Sequence, residues 1–228
     1  VGLSLLANLT AMDFGFIGSG ELLQRTQNTF LTLAKLERHQ GHFCNWYDTR
    51  TLQPLAPRYI SSVDSGNLVA HLLTLRAGLQ SLPDSPLIPK RVFLGLADTL
   101  ALLEDALADY KPLNTQAKIK LAQWKSCLEG MKNLLGPACQ APSDDSVFTN
   151  LQDQLLLFIE LQKHVEQHID DIDDDIASEV RYWASALQQQ CRELIDDMQW
   201  TLPWLQQPAA IESLQLLVSM NDSIRLGK

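Results

Sequence analysis

Long apolar runs are missing from this sequence of 228 residues. No stretch approaches the about 18 consecutive apolar residues that are typical of a membrane-spanning helix, and no signal peptide is visible. The chain begins at Val1 without a methionine, already inside an apolar helical pattern. We therefore expect a piece of a longer protein. With 46% hydrophobic residues, this piece can bury a sizeable core.

Positive charge is also scarce. The 18 basic residues are outnumbered by 27 acidic ones, which gives a formal net charge of -9. This balance disfavours binding to phosphate backbones and anionic lipid, so we expect no nucleic-acid partner. Part of the negative charge lies in one run, "DDIDDD" at 170–175. The run lacks the glycine turn and distal glutamate of an EF-hand, so we interpret it as a charged helix face.

Cysteine motifs are absent, because no two cysteines have CxxC spacing. The four residues Cys44, Cys127, Cys139 and Cys191 are widely scattered. We interpret them as reduced thiols and predict no disulfide.

Two histidines do have the spacing of zinc ligands. His164 and His168 lie at i and i+4 and would share one helix face, with Asp171 one turn further on. No glutamate occupies the place that an HExxH motif requires. We favour a solvated polar face beside an apolar seam as the explanation of this pattern, and we predict no metal site and no cofactor.

The alternation of apolar and polar residues that marks a strand does not stand out anywhere, so the sequence predicts an all-α fold. Apolar residues instead recur with helical spacing, and glycines or prolines interrupt them. We predict helical hairpins in a subregion at 1–82, a pair of helices at 83–142 and a long helical segment at 143–228. Individual helices are expected to end near Asp13, at Gly41 and at Gly136-Pro137, and a last helix is expected at about 208–225.

Glycine and proline are absent between Ser143 and Leu202. Apolar residues there step by three, four or seven, and their phase survives the acidic run. We favour one uninterrupted helix over about 145–200, because isoleucines keep the seam and exposed like charges are largely screened. The alternative is a hairpin that turns at the acidic run.

One segment, 41–66, lacks a helical period and contains two prolines, so we expect a long ordered loop there. It includes the stretch "GHFCNWYDT" at 41–49 and the first four residues of "VDSGN", which spans 63–67. Loops of this length inside compact domains are usually functional. The aromatic rings offer flat apolar faces that suit the C–H faces of sugars, and the acids and amides suit vicinal hydroxyls. The predicted substrate-binding residues are Asn45, Trp46, Tyr47, Asp48, Arg58, Asp64, Ser65 and Asn67.

A structural interpretation of the same loop stays open. In that alternative, Trp46 fills the core, Asp48 starts an Asx-turn and Asp64 caps a helix that begins at about residue 66.

Three stretches, "VGLSLLANLTAMDFGFI", "LERHQGHFCNWYDTRTLQPLAPRYISSVDSGNLVAHLLTLR" and "YWASALQQQCRELIDDMQWTLPWL", resemble bacterial cyclic β-1,2-glucan synthases. The resemblance covers nearly all of 1–82 and 180–206, whereas 83–179 matches only as generic helix. It implies a large parent in the bacterial inner membrane, with this segment in a soluble, cytoplasmic region. The segment would open the central glycoamylase-like domain, an (α/α)6 toroid that cyclises linear β-1,2-glucan by transglycosylation.

The resemblance further implies that loop 41–66 forms a wall of the sugar groove. Cys44 departs from the family, which more often has an aromatic residue there. The glutamates that carry the family's chemistry lie downstream of this sequence, so we predict no catalytic residue here and an inactive isolated chain. The implied partners are β-1,2-glucan and other domains of the same polypeptide. Missing toroid helices would also leave an apolar face open to self-association.

Three hypotheses follow. The first is a glucan-binding fragment of the cyclising domain, and the second is a non-catalytic helical module that docks regions of the same synthase. The third, which we favour least, is a free-standing hydrolase that uses Asp48 and Asp64.

Overall fold

The computed structural model describes residues 1–86, 88–111, 115–141, 151–169 and 178–201. Within these ranges the chain forms α-helices and one two-stranded antiparallel sheet, so the predicted all-α class is confirmed. The helices are α1 Gly2–Asp13, α2 Ser19–Lys35, α3 Ser62–Ser81, α4 Lys90–Asp109, α5 Thr115–Gln140, α6 Leu151–Ile169 and α7 Ser178–Thr201. The strands are β1 Arg38–His39 and β2 His42–Phe43, and a short 3₁₀ turn covers Leu82–Asp84.

The chain divides into two compact units, Val1–Asp98 and Thr99–Lys228. The division falls inside α4 and therefore within the subregion that the sequence places at 83–142. None of the described helices combines the length and the apolarity that crossing a bilayer requires.

In the first unit, α1 packs against α2 and α3. Its carboxyl end is a Schellman motif, in which the Phe16 N–H bonds the Ala11 carbonyl and the Gly15 N–H bonds the Met12 carbonyl. Gly15 has a φ of +78°, and a Cβ there would stand 1.8 Å from the Arg91 carbonyl oxygen. Only glycine satisfies both the positive φ and the contact with the first turn of α4.

The second helix ends at Lys35, so the prediction that it continues to Gly41 is wrong. The intervening residues form the hairpin of β1 and β2, with His39 paired to His42. Gln40 and Gly41 connect the strands, and both have positive φ values of 50° and 87°. That pair of angles is typical of a type I′ turn, whose twist matches the strands that it joins.

The third helix begins at Ser62, which shortens the expected loop at 41–66. "VDSGN" is therefore not loop but the first turns of α3. Ser61 is the N-cap residue, and its hydroxyl accepts a hydrogen bond from the Asp64 N–H. The alternative in which Asp64 caps a helix from about residue 66 is wrong, because Asp64 lies inside the first turn.

In the second unit, α5 packs against α6, and α6 against α7. Helix α5 passes through Gly136-Pro137, where we expected it to stop, and continues to Gln140. The ring of Pro137 removes one backbone hydrogen bond. The flanking residues Leu135 and Ala138 are 2% and 0% exposed, and their burial stabilises the last turn.

The favoured prediction of one continuous helix over 145–200 is wrong. Helices α6 and α7 pack side by side, which two halves of one straight helix cannot do, so the hairpin alternative holds. Val165 on α6 and Val180 on α7 are both fully buried. Packing two seams on each other buries more apolar surface than one long helix can do alone. The acidic run and the expected helix at 208–225 lie outside the described residues.

Candidate functional site

A groove of about 810 Å³ opens on the first unit. It lies among the first turns of α1 and α3, the end of α2 and the β1–β2 hairpin. Its volume is that of a site for a small organic ligand. Apolar side chains that line it include Leu3, Leu33, Leu36, Leu68 and Leu72, and polar ones include Gln40, His42, Asn45, Asp64, Ser65, Asn67 and His71.

The structure brings together five of the eight residues that the sequence proposes for substrate binding. Asn45, Tyr47, Asp64, Ser65 and Asn67 all line the groove. The other three, Trp46, Asp48 and Arg58, are not among its lining residues.

Asn45 joins the loop to the start of α3. Its side-chain amide donates a hydrogen bond of 2.7 Å to Asp64, and its side-chain oxygen accepts one of 3.1 Å from the Ser61 N–H. The Asp64 bond involves one carboxylate oxygen, Oδ2. The Asn45 side chain thus fixes the groove wall, and Asp64 keeps a second oxygen for a ligand.

Tyr47 closes the base of the hairpin. Its hydroxyl donates to the Glu37 carbonyl at 2.7 Å and accepts from the Cys44 N–H at 2.8 Å. Desolvation is the main cause that raises the pKa of the phenol. Because these two backbone groups engage the hydroxyl, Tyr47 stabilises the loop conformation, and its side chain also lines the groove.

The side chain of Asp48 stabilises the turn that this residue begins. Its Oδ1 accepts hydrogen bonds from the Arg50 and Thr51 N–H groups at 2.7 and 3.0 Å, which is the Asx-turn of the structural alternative. The backbone N–H groups, of Thr51 first and then of Arg50, lower the pKa of the carboxyl.

Arg58 lies on the surface and pairs with Glu37, with nitrogen–oxygen distances of 2.6 and 3.4 Å. Its side chain is 63% exposed, and such exposed pairs contribute little to stability.

Trp46 is 55% exposed, so the alternative in which it fills the core is wrong. Its ring stacks on that of Tyr59, with centroids 5.9 Å apart and planes inclined by 26°.

Sequence reasoning missed the histidines of the groove. His42 Nδ1 lies 3.0 Å from the Ser65 hydroxyl oxygen. His71 lies so close to Gly2 that a Cβ there would come within 2.2 Å of its Nδ1. A signal for His71 does exist, because it follows Asn67 by four and Asp64 by seven residues and so shares their face of α3.

The described residues contain no cluster of three or more metal-ligating side chains. His164 directs Nδ1 to the Glu160 carbonyl at 2.8 Å. The side chain of His168 and the residue Asp171 lie outside the described part of the chain. All four cysteines are free thiols.

Comparisons with known proteins give one relative by sequence. No protein-family model matches the chain. Over 140 residues the chain is 34% identical to the cyclic beta-(1,2)-glucan synthase NdvB of Rhizobium meliloti (strain 1021). The match covers 58% of this chain but 5% of that relative. The similarity therefore supports a relationship to one segment of a glucan synthase.

Proposed function

We propose that this chain is a segment of a cyclic β-1,2-glucan synthase and that its groove binds β-1,2-glucan within the cyclising domain. Two observations support the proposal. The identity with the Rhizobium synthase supports the ligand class, and five of the eight predicted sugar-contacting residues line one groove. The second observation carries the argument, because it concerns this chain's own residues.

The lining suits a carbohydrate. Leucines from α1, α2 and α3 form apolar patches for the C–H faces of sugar rings. The side chains of Asn67 and His71 have no hydrogen-bond partner among the described residues, so their polar atoms are available to hydroxyl groups. The second oxygen of Asp64 adds an acceptor.

The groove does not supply the two carboxylates of glycosyl transfer. Asp64 is the one acidic residue among its described lining residues, and Asp48 uses its carboxylate within its own turn. We therefore propose that the chain binds glucan without transforming it, and we do not retain the hydrolase hypothesis.

One observation favours the alternative of a helical structural or docking module. Several predicted contact residues already bond within the loop, namely Asn45 with Asp64 and Ser61, Tyr47 with Glu37, and Asp48 with its own turn. A loop held in this way can also serve as a rigid contact for other domains of the same polypeptide.

Calorimetric titration of the chain with linear β-1,2-glucan tests the proposal. We expect saturable binding that Asn67→Ala weakens by about fivefold, the value of one hydrogen bond of about 1 kcal/mol. Gln80→Ala is the matched control, because Gln80 is an exposed polar residue of the same helix outside the groove. Absence of binding, or equal affinities for wild type and Asn67→Ala, would favour the docking module.

A further inference from the structure

Trp46 and Tyr59 form an exposed aromatic pair outside the groove. Their side chains are 55% and 54% exposed although the rings stack on each other. Leu55 extends the same loop surface and is 47% exposed. These three residues, which we name the aromatic platform, do not line the groove.

The backbone holds the platform in place. The Trp46 carbonyl accepts a hydrogen bond of 3.0 Å from the Leu55 N–H, and the Tyr59 carbonyl accepts one of 2.9 Å from the Asn45 N–H. Tyr47 and Pro54 form a further antiparallel bridge. The two rings are therefore preorganised, so a ligand loses little affinity in ordering them.

The platform adjoins the groove. The two residues that flank Trp46 in the chain, Asn45 and Tyr47, both line the groove, whereas Trp46 does not. The aromatic rings therefore belong to the same loop as the groove lining, so a glucan that is longer than the groove can extend over this loop to reach them.

We propose that the aromatic platform is a second carbohydrate contact, which binds the sugar residues of β-1,2-glucan that extend beyond the groove. The proposal rests on the proposed function. Aromatic faces pack against the C–H faces of a sugar ring while its hydroxyls stay in water, so aromatic rings that are about half exposed can still bind sugar. Affinity then rises with the length of the glucan.

The size of the platform argues against a protein partner. A stable protein interface buries about 1,000 Å² or more. The platform consists of three side chains and has the exposed Arg58–Glu37 ion pair beside Tyr59 in the chain. Such a small apolar patch with a charged neighbour fits one or two sugar rings.

The test compares a β-1,2-linked glucose disaccharide with a long linear β-1,2-glucan in calorimetric titrations. We expect Trp46→Ala and Tyr59→Ala to weaken long-chain binding by between about twofold and tenfold, the range for an aromatic contact. Binding of the disaccharide stays unchanged. Asn67→Ala, within the groove, weakens both. Tyr59→Phe keeps the ring and is the matched control with wild-type affinities.

Three results overturn the proposal, and thermal melting of each variant shows that it is folded. If the variants weaken the binding of both ligands equally, Trp46 contacts the sugar residues that are bound in the groove. If they weaken neither, the platform does not bind glucan. In both cases the proposed function stands. Failure of the wild-type chain to bind either glucan would instead remove the proposed function and the platform together.

Discussion

The side-chain amide of Asn45 donates a hydrogen bond of 2.7 Å to the carboxylate of Asp64. Asn45 lies two residues after the end of β2, and Asp64 lies in the first turn of α3. The other end of the Asn45 side chain accepts from the Ser61 N–H, so one residue satisfies two groups at the helix start. The loop and the helix are thus one rigid wall of the groove.

Asn45→Ala should lower the free energy of unfolding by about 1 kcal/mol, because both hydrogen bonds disappear and the one from the Ser61 N–H is partly buried. Urea denaturation measures the change. In the double variant Asn45→Ala/Asp64→Ala, the loss of unfolding free energy should be smaller than the sum of the losses in the two single variants. Strict additivity of the two substitutions would show that the bond contributes nothing to stability.

Ser61→Ala should cost about 1 kcal/mol, because the Ser61 hydroxyl caps α3 through the Asp64 N–H at 3.0 Å. Ser62→Ala is the control, since that side chain is exposed at the first helical position. Chemical denaturation of the two variants in parallel checks the difference. If they are equally stable, the cap lies elsewhere.

Gly95→Ala should destabilise the chain by about 1–3 kcal/mol through overpacking, because a Cβ there would stand 2.2 Å from the Gly15 carbonyl oxygen. Gly66→Ala on α3 is the matched control. A Cβ at that position meets nothing within 4 Å, and alanine should stabilise the helix by about 0.5–1 kcal/mol. Opposite shifts in melting temperature are expected, and a stable Gly95→Ala protein would contradict the close backbone contact.

The Asp48 carboxyl should titrate below its ordinary pKa of 3.8, because the Thr51 and Arg50 N–H groups stabilise its charged form. Since folding lowers the pKa, the stabilisation is present above the unfolded pKa and is lost as the pH falls through the folded pKa. Carboxyl ¹³C NMR titration measures the value. Asp48→Asn should remove this contribution to the pH dependence of stability. If the stability of the variant falls with decreasing pH in the same way as that of the wild type, the Asx-turn makes no such contribution.

The buried thiols should resist alkylation in the folded chain. Burial raises the pKa of Cys127 to about 11 and that of Cys191 to about 12, and alkylation requires the thiolate. Cys139 is half-buried and should react first with iodoacetamide at about pH 8, as peptide mass spectrometry can measure. In urea all four should react at similar rates. Fast native alkylation of Cys191 would contradict its place in the core.

Much of the fold is predictable from local periodicity. Phe93, Leu96, Leu100, Leu103 and Leu107 follow a helical spacing in the sequence, and each is at most 2% exposed on α4. The end of α1 near Asp13 was predictable for another local reason, since Gly15, two residues later, adopts the positive φ of a helix cap. The Asx-turn at Asp48 depends on contacts within three residues, and it could therefore also be predicted from the sequence.

Contacts between segments that are distant in the sequence determine the features that local patterns could not predict. An apolar seam with no glycine or proline predicts one helix over 145–200 as readily as two, and only the packing of α6 on α7 distinguishes them. His71 joins the groove because the start of α1 approaches α3 at Gly2. Trp46 and Tyr59 stack because backbone bonds pair the two sides of their loop. Helix period and turn chemistry depend on residues a few positions apart, which a sequence displays directly. A groove depends on which helix ends meet, and that is set by the burial of apolar surface over the whole unit.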